Sequence, residues 1–480
     1  MTLSASLASA QSGLNAASRG AGVISANIAN ALTEGYARRE IRLGAQHYGT
    51  VGQGVQVEGI SRQVDALLLR DLRLAHAMAE GQDLRAAFHG RLDDVMAGPG
   101  NLAGRIDGFD AALIAAAALP DSDTRLADLL VQAGSVIDGF RSSAAAIQSA
   151  RMDADAAIAV DVARLNNALD GIARLNADIA AMGAGRRDSS ALQDQRQILI
   201  DQVAAIVPLR SLPDAQGRVA LYSTGGAVLL DMQPRELGFT PAGVITADMT
   251  LASGALSGLT LDGQPLRSDD GGPLAGGRLA ANLAIRDVLA PGAQDLLDAM
   301  ARDLVERFQD PALDPTRAPG GPGLFTDQGA AFDPADMVGL SQRLRLAPAA
   351  DPAQGGALWR LRDGLGATTP GPTAQGILLQ ELRTALNAAR IATGPLPPAG
   401  RSLSDLANAT ITTLSAQRLQ AETSAGFAMA RAATLEQMHL AQGVDSDREL
   451  QDLLLIEQAF GANARVISTV DDMIQTLLGL

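Results

Sequence analysis

The chain has 480 residues, 47% of them hydrophobic but only 3% aromatic, and a formal net charge of −15; that length calls for roughly two to four domains rather than one core. The acidic balance leaves no basic footprint for nucleic acid or an anionic membrane surface. There is no cysteine and all 38 basic residues are arginine, which excludes disulfides, thiolate metal sites, P-loop lysine chemistry and Schiff-base chemistry.

Residues 1–31 predict a helix with a narrow apolar stripe. Leu3, Leu7, Ala10, Leu14, Ala17, Ala21, Ile24 and Ile28 alternate spacings of four and three, which suits a partner helix better than a broad core. Met1 to Ser12 has no basic n-region and its apolar residues are interrupted, so it does not read as a signal peptide. No run of about 18 apolar residues occurs, so no membrane span is expected. After the helix, Asn27, Asn30, Thr33, Gly35 and Tyr36 form the pattern ANIANALTEGY. A C-cap with Gly35 at positive φ is one account of it. The other is that the asparagines hydrogen-bond across subunits, where a polar group in an apolar seam fixes register.

Residues 36–61 read as extended, with alternation over Arg39–Leu43 and a turn plus strand over Gly52–Gly59. Residues 62–207 read as helical. Ile158, Val162, Leu165, Leu169, Ile172 and Ile179 keep heptad spacing in one long helix that Gly183-Ala-Gly185 should break. A second helix from Ser190 to Ile206, ending before Pro208, completes an antiparallel helical hairpin. Residues 208–273 carry short apolar runs separated by Gly, Pro and Asp, with a hairpin signal over Val219–Leu230, and read as an inserted small β domain. Helices resume over Gly276–Gln309, and Pro311–Gly323 is a loop. Residues 324–400 give no clear pattern; Trp359, in a Leu-Trp-Arg-Leu run, reads as core. Residues from Ser402 are helical again, divided at Gly443.

The last helix, about Asp447 to Leu478, carries a second heptad stripe: Leu453, Ile456, Phe460, Asn463, Ile467, Val470, Ile474 and Leu477. Asp445-Ser-Asp447-Arg-Glu449 lacks the glycine and final glutamate of a calcium loop and reads as an N-cap with acidic first-turn residues. His47, His76, His89 and His439 have no metal-ligand spacing. No nucleophile elbow and no carboxylate pair with split environments is visible. No catalytic, cofactor or metal site is therefore expected. The fold class is mainly α with an inserted small β domain and long terminal coiled-coil helices. Its expected domains are 1–61 with 402–480, 62–207 with 274–401, and 208–273.

ANIANALTEGYARRE resembles the N-terminal signature of the flagellar rod, hook and junction proteins, with the match falling on Asn27, Asn30, Thr33, Gly35 and Tyr36. Ser12–Ala17 and the ending Ala464–Leu480 fit the same family. Tyr36-Ala-Arg38, Gly54–Arg62 with Asp65, and Leu192–Leu199 are most similar to its hook–filament junction members. The resemblance implies a structural part of the bacterial flagellum, located outside the cell after uncleaved type III export. It implies polymerisation through Leu3, Leu7, Leu14, Ile24 and Ile28 at one end and Leu453–Leu477 at the other, the latter also binding an export chaperone. The implied partners are the hook protein, the next hook-associated junction protein and further copies of the chain in a ring of about eleven. A hook or rod protein is the alternative. An enzyme in residues 208–273 is a remote one, since that stretch has no histidine and no clustered acids.

Overall fold

The computed structural model describes residues 3–33, 35–48, 51–184, 188–396 and 398–478. Helix α1 (Leu3–Ala29) is followed by strands β1 (Arg39–Tyr48) and β2 (Val51–Arg62), then by helices α2 (Ala66–Ala97), α3 (Leu102–Ala118), α4 (Asp123–Ala184) and α5 (Ser190–Ile206). Strands β3 (Leu209–Pro213), β4 (Val219–Ser223) and β5 (Val228–Leu230) form one antiparallel sheet; β6 (Leu237–Gly238), β7 (Thr260–Leu261) and β8 (Gln264–Pro265) form a second. Helix α6 (Gly277–Ala284) passes through a π-helical turn (Ile285–Leu289) into α7 (Ala290–Gln309). The stretch without a sequence pattern contains β9 (Phe325–Asp327), α8 (Leu340–Arg343), β10 (Leu344–Leu346), α9 (Arg360–Asp363) and α10 (Ile377–Asn387). The chain ends in α11 (Leu403–Ala441) and α12 (Ser446–Leu478). No described helix is long and apolar enough to cross a membrane.

The chain divides into two compact units, one from residues 1–79, 163–237 and 428–480, the other from 80–162 and 238–427. The long helices α2, α4 and α11 contribute residues to both. The strands expected in one β domain are likewise shared, with β3–β5 in the first unit and β7–β8 in the second.

In the first unit α1 and α12 pair antiparallel. Gly13 faces Asn463, Gly20 faces Ile456 and Asn27 bonds Glu449, so each seven-residue advance along α1 is matched by the same retreat along α12. Glycines sit on this line because the helices are close. A Cβ at Gly13 would lie 2.7 Å from Asn463 Nδ2, and one at Gly20 would lie 2.8 Å from Ile456 Cδ1. The antiparallel hairpin β1–β2 aligns Arg39 with Arg62 and Ile41 with Ile60 and lies along α1. There the Val55 N–H donates to Ser12 Oγ at 3.1 Å. Gly54 (φ +97°) fits because a Cβ would fall 2.1 Å from that oxygen. Asp445 caps α12, its Oδ1 accepting from the N–H groups of Asp447 and Arg448, as the sequence suggests.

Further along the first unit, Leu165, Leu169, Ile172 and Ile179 on α4 are all buried. Two asparagines of α4 hold strand backbone in place of a neighbouring strand. Asn166 exchanges hydrogen bonds with both backbone groups of Leu237, and Asn176 does the same with Val219. The expected break at Gly183–Gly185 is met by a helix that runs to Ala184; Gly185 lies outside the described residues.

The second unit has one continuous apolar core drawn from α2, α3, α4, α7, α10 and α11. Phe109, Phe308 and Phe325 form its centre, with ring centroids 5.0–5.8 Å apart and edge or tilted contacts that suit the ring quadrupoles. Trp359, expected in the core, is only half-buried. Its ring instead carries the Arg360 guanidinium at 5.4 Å, and leucines such as Leu361 and Leu382 fill the core nearby.

The glycine line generates a test. Gly20→Ala should cost little, because the opposing atom is the mobile end of Ile456, whereas Gly20→Leu should destabilise the α1–α12 pair by about 1–3 kcal/mol. Limited proteolysis of α12 in the two variants separates these outcomes; equal resistance would mean that close approach at Gly20 is not what holds the pair.

Candidate assembly site

The signature residues of the first unit do not act alike. Asn27 is 1% exposed and its amide is fully used. Nδ2 donates to the Arg39 carbonyl at 2.9 Å and to Glu449 Oε2 at 3.0 Å. Oδ1 accepts from the Arg39 N–H at 2.9 Å and from the Tyr36 hydroxyl at 2.8 Å. A carboxamide has two donors and two acceptor lone pairs, so none remains for another subunit. The expected intersubunit hydrogen bond is replaced at Asn27 by an intrachain one that joins α1, β1 and α12. Asn30 serves its own helix end, donating to the Ala26 carbonyl at 2.9 Å and accepting from Thr33 Oγ1 at 3.3 Å. Gly35 takes φ +75° as expected, and a Cβ there would lie 2.5 Å from Ile198 on α5.

Glu449, in the first turn of α12, is also 1% exposed. A carboxylate so removed from water needs partners, and it has two: Asn27 and the Arg38 guanidinium, whose Nε donates at 2.6 Å. Breaking such a buried pair by truncating one member costs about 3–5 kcal/mol. Reading the sequence missed the contacts of Glu449, taking it only as an acidic first-turn residue at the start of α12. The available signal was its place in the stripe, since Glu449, Ile456, Asn463 and Val470 are spaced by seven.

A second ionic cluster lies on the other side of β1. Asp194 of α5 accepts from Arg39 Nη2 at 2.7 Å and from Arg62 Nε at 2.8 Å. Arg39 also stacks over the Tyr36 ring at 4.8 Å. Two successive residues thus tie the hairpin to α12 through Arg38 and to α5 through Arg39. Burial pulls the Arg62 guanidinium down, with Asp194 opposing, and pushes the Tyr36 hydroxyl up. Burial and then the Arg62 charge push Arg196 down to about 10; it remains a cation at neutral pH, held by Asn176 Oδ1 and the Gly217 carbonyl. Asp194 and Arg196 belong to the Leu192–Leu199 segment noted in the sequence, which assigned them no contacts.

The apolar stripe residues are divided by depth. Ile24 and Val470 are buried; Leu3, Leu14, Ile28, Leu453, Ile456, Asn463 and Ile467 are partly buried. Leu7, Phe460, Ile474 and Leu477 are exposed, Phe460 at 45% and Leu477 at 61%. In this pair each helix covers only one side of the other, so Leu7 on α1 and Phe460, Ile474 and Leu477 on α12 stand outside the intrachain seam. Leu3, Ser6, Arg465, Val466, Thr469, Val470 and Met473 border an open groove beside it. Among the described residues no three acidic or histidine side chains are placed to hold a metal ion. His76 faces Glu436 at 3.3 Å on the surface, and the His47 side chain lies outside the described residues.

Truncating the Asn27 amide tests this geometry. Asn27→Ala leaves Glu449, the Tyr36 hydroxyl and the Arg39 backbone each short of a partner, and should destabilise the unit by about 3 kcal/mol or more in urea unfolding. A change within about 0.5 kcal/mol, the level of a surface substitution, would contradict the network.

Residues 89–312 match the family described as flagellar hook-associated protein FlgK helical domain. Residues 7–36 match the flagella basal body rod protein family, and residues 439–480 the flagellar basal body rod FlgEFG protein C-terminal family. Flagellar hook-associated protein 1 of Salmonella typhimurium is 27% identical over 253 residues, which is 51% of this chain and 46% of that protein. The Escherichia coli protein of the same name is 26% identical over 262 residues, 52% of this chain and 47% of its own. The chain spans about half the length of the curated relatives it matches. A solved structure, the flagellar hook junction protein FlgK from Burkholderia pseudomallei, aligns over 54% of this chain and 46% of its own, at 17% identity and a TM-score of 0.45. By sequence, then, the chain is similar to the flagellar hook-associated protein FlgK helical domain through its middle and to flagellar basal body rod protein families at both ends.

Proposed function

We propose that this protein is a structural axial component of the bacterial flagellum that joins hook to filament, polymerising through α1 and α12 after type III export. The observation that carries the reading is the outward surface of α12. Leu450, Leu454, Leu455, Phe460, Val466, Met473, Leu477 and Leu478 are all exposed on this one helix. A helix apolar on more than one side is suited to a position between several neighbours. Burying those side chains contributes roughly 1.5–3 kcal/mol each when complete, which offsets the entropy of fixing the termini in a tube. The Asn27–Glu449 latch then acts within each copy, setting the register of the helix pair that neighbouring copies meet.

On this reading the protein forms a ring of about eleven copies, with the hook protein on one side and the next junction protein on the other. An export chaperone covers the apolar face of α12 before secretion. The match of residues 89–312 to the hook-associated helical domain favours the junction over a hook or rod role, because the terminal matches alone are named for rod proteins.

Electron microscopy of cells lacking the chain, with flagellin assayed in the medium, tests the proposal. Naked hooks with free flagellin outside are expected, and a chain ending at Asp447 should fail to restore filaments. Cells without hooks would move the role to rod or hook, and normal filaments would overturn the assembly reading.

A further inference from the structure

We propose that the second unit contains a binding site for one buried water molecule, held by Arg317, Arg360 and Asp314. The site lies in a small cavity lined by these three residues together with Phe308, Leu324 and Leu361 among others. The space open to a water centre is ≈ 10 Å³, about the minimum that holds one water.

The polar lining supplies what a water needs. The Nε–H groups of Arg317 and Arg360 are buried and have no protein acceptor. Arg317 cannot turn to find one. Its side chain is 6% exposed, and its two terminal nitrogens already donate to the carbonyls of Gln309, Asp310 and Gly321. Asp314 is as deeply buried, and its carboxylate stands 3.9 Å from Arg317 Nε, beyond hydrogen-bond reach. Its oxygens also accept from the Thr316 N–H and hydroxyl and from the Leu365 N–H. A water that accepts from both guanidinium groups and donates to Asp314 satisfies two costly orphan donors at once. A metal cation is disfavoured by the two arginines, and a halide by the carboxylate. The neutral molecule with two acceptor sites and two donors fits the set.

The water would tie the Pro/Gly-rich loop 310–323 to α9, next to Trp359. Trp359 is the only tryptophan in the chain, so its fluorescence reports on this site selectively.

A high-resolution crystal structure of the full chain should show one density peak within hydrogen-bond distance of both Nε atoms. An empty cavity overturns the proposal, as does a peak that becomes an anomalous scatterer on bromide exchange. In solution, Leu313→Phe fills the cavity and should lower the unfolding midpoint read from Trp359 by a few degrees. With Arg360→Leu already in place the same change should cost clearly less, because one orphan donor is gone. An equal cost in both backgrounds, or no fall in the first, would contradict a bound water.

Discussion

A carboxylate buried between two helices must be paired in place, and in the first unit that requirement fixes where α12 lies. Glu449 is satisfied only if Asn27 and Arg38 both reach it. Asn27 reaches it only if α1 and α12 are in register, and its other bonds fall correctly only if the chain turns at Gly35 and returns as β1. Apolar heptads tolerate a slip of one repeat at modest cost. A buried amide against a buried carboxylate does not, because a slip leaves both without partners. The small residues follow from the same constraint, since Gly13 and Gly20 let the helices approach closely enough for these short polar side chains to meet.

The same device recurs through a chain with few aromatic residues. Asn166 and Asn176 use both ends of their amides on strand backbone, so very short strands are held by a helix. In the second unit Arg286, at the π-helical turn, is fully buried between Asp155 and Asp287 and also donates to the Ser257 carbonyl. Arg151 donates to the carbonyls of Thr246, Met249 and Arg286. Arg307 holds Asp303 and the carbonyls of Leu386 and Ala388 at the end of α10. The guanidinium fork carries several fixed donors, which suits a chain without lysine to pinning irregular segments on helices. Apolar packing centres on Phe109, Phe308 and Phe325, while the buried arginines specify how the segments around that core are threaded.

On the proposed assembly reading this division of labour has a mechanical sense. The polar latch sits where the helix pair meets the hairpin and α5, and the exposed apolar residues lie further along α12 toward the chain end. In the proposed ring the first would keep each copy's register constant, and the second would be free to meet neighbours. Neither feature requires chemistry at a pocket; both require helices of defined length held at a defined offset.

The sequence by itself determined the elements. Periodicity placed α1, α5, α12 and the end of α4 within a few residues, alternation placed the hairpin, and the ANIANALTEGY pattern marked the right turn. These are local properties, set by spacing and by residues with fixed conformational preferences. Which polar residues meet was decided by the tertiary structure alone. Asn27 and Asn30 look equivalent in the sequence, yet one joins three elements and the other finishes its helix, because only one faces α12. Glu449 looks like a surface acid until α1 covers it. Residues 324–400 carry no period because their short elements are held by long-range bonds such as those of Asp298 to Gly339 and Ser341, and a contact between distant residues leaves no periodic trace in the chain.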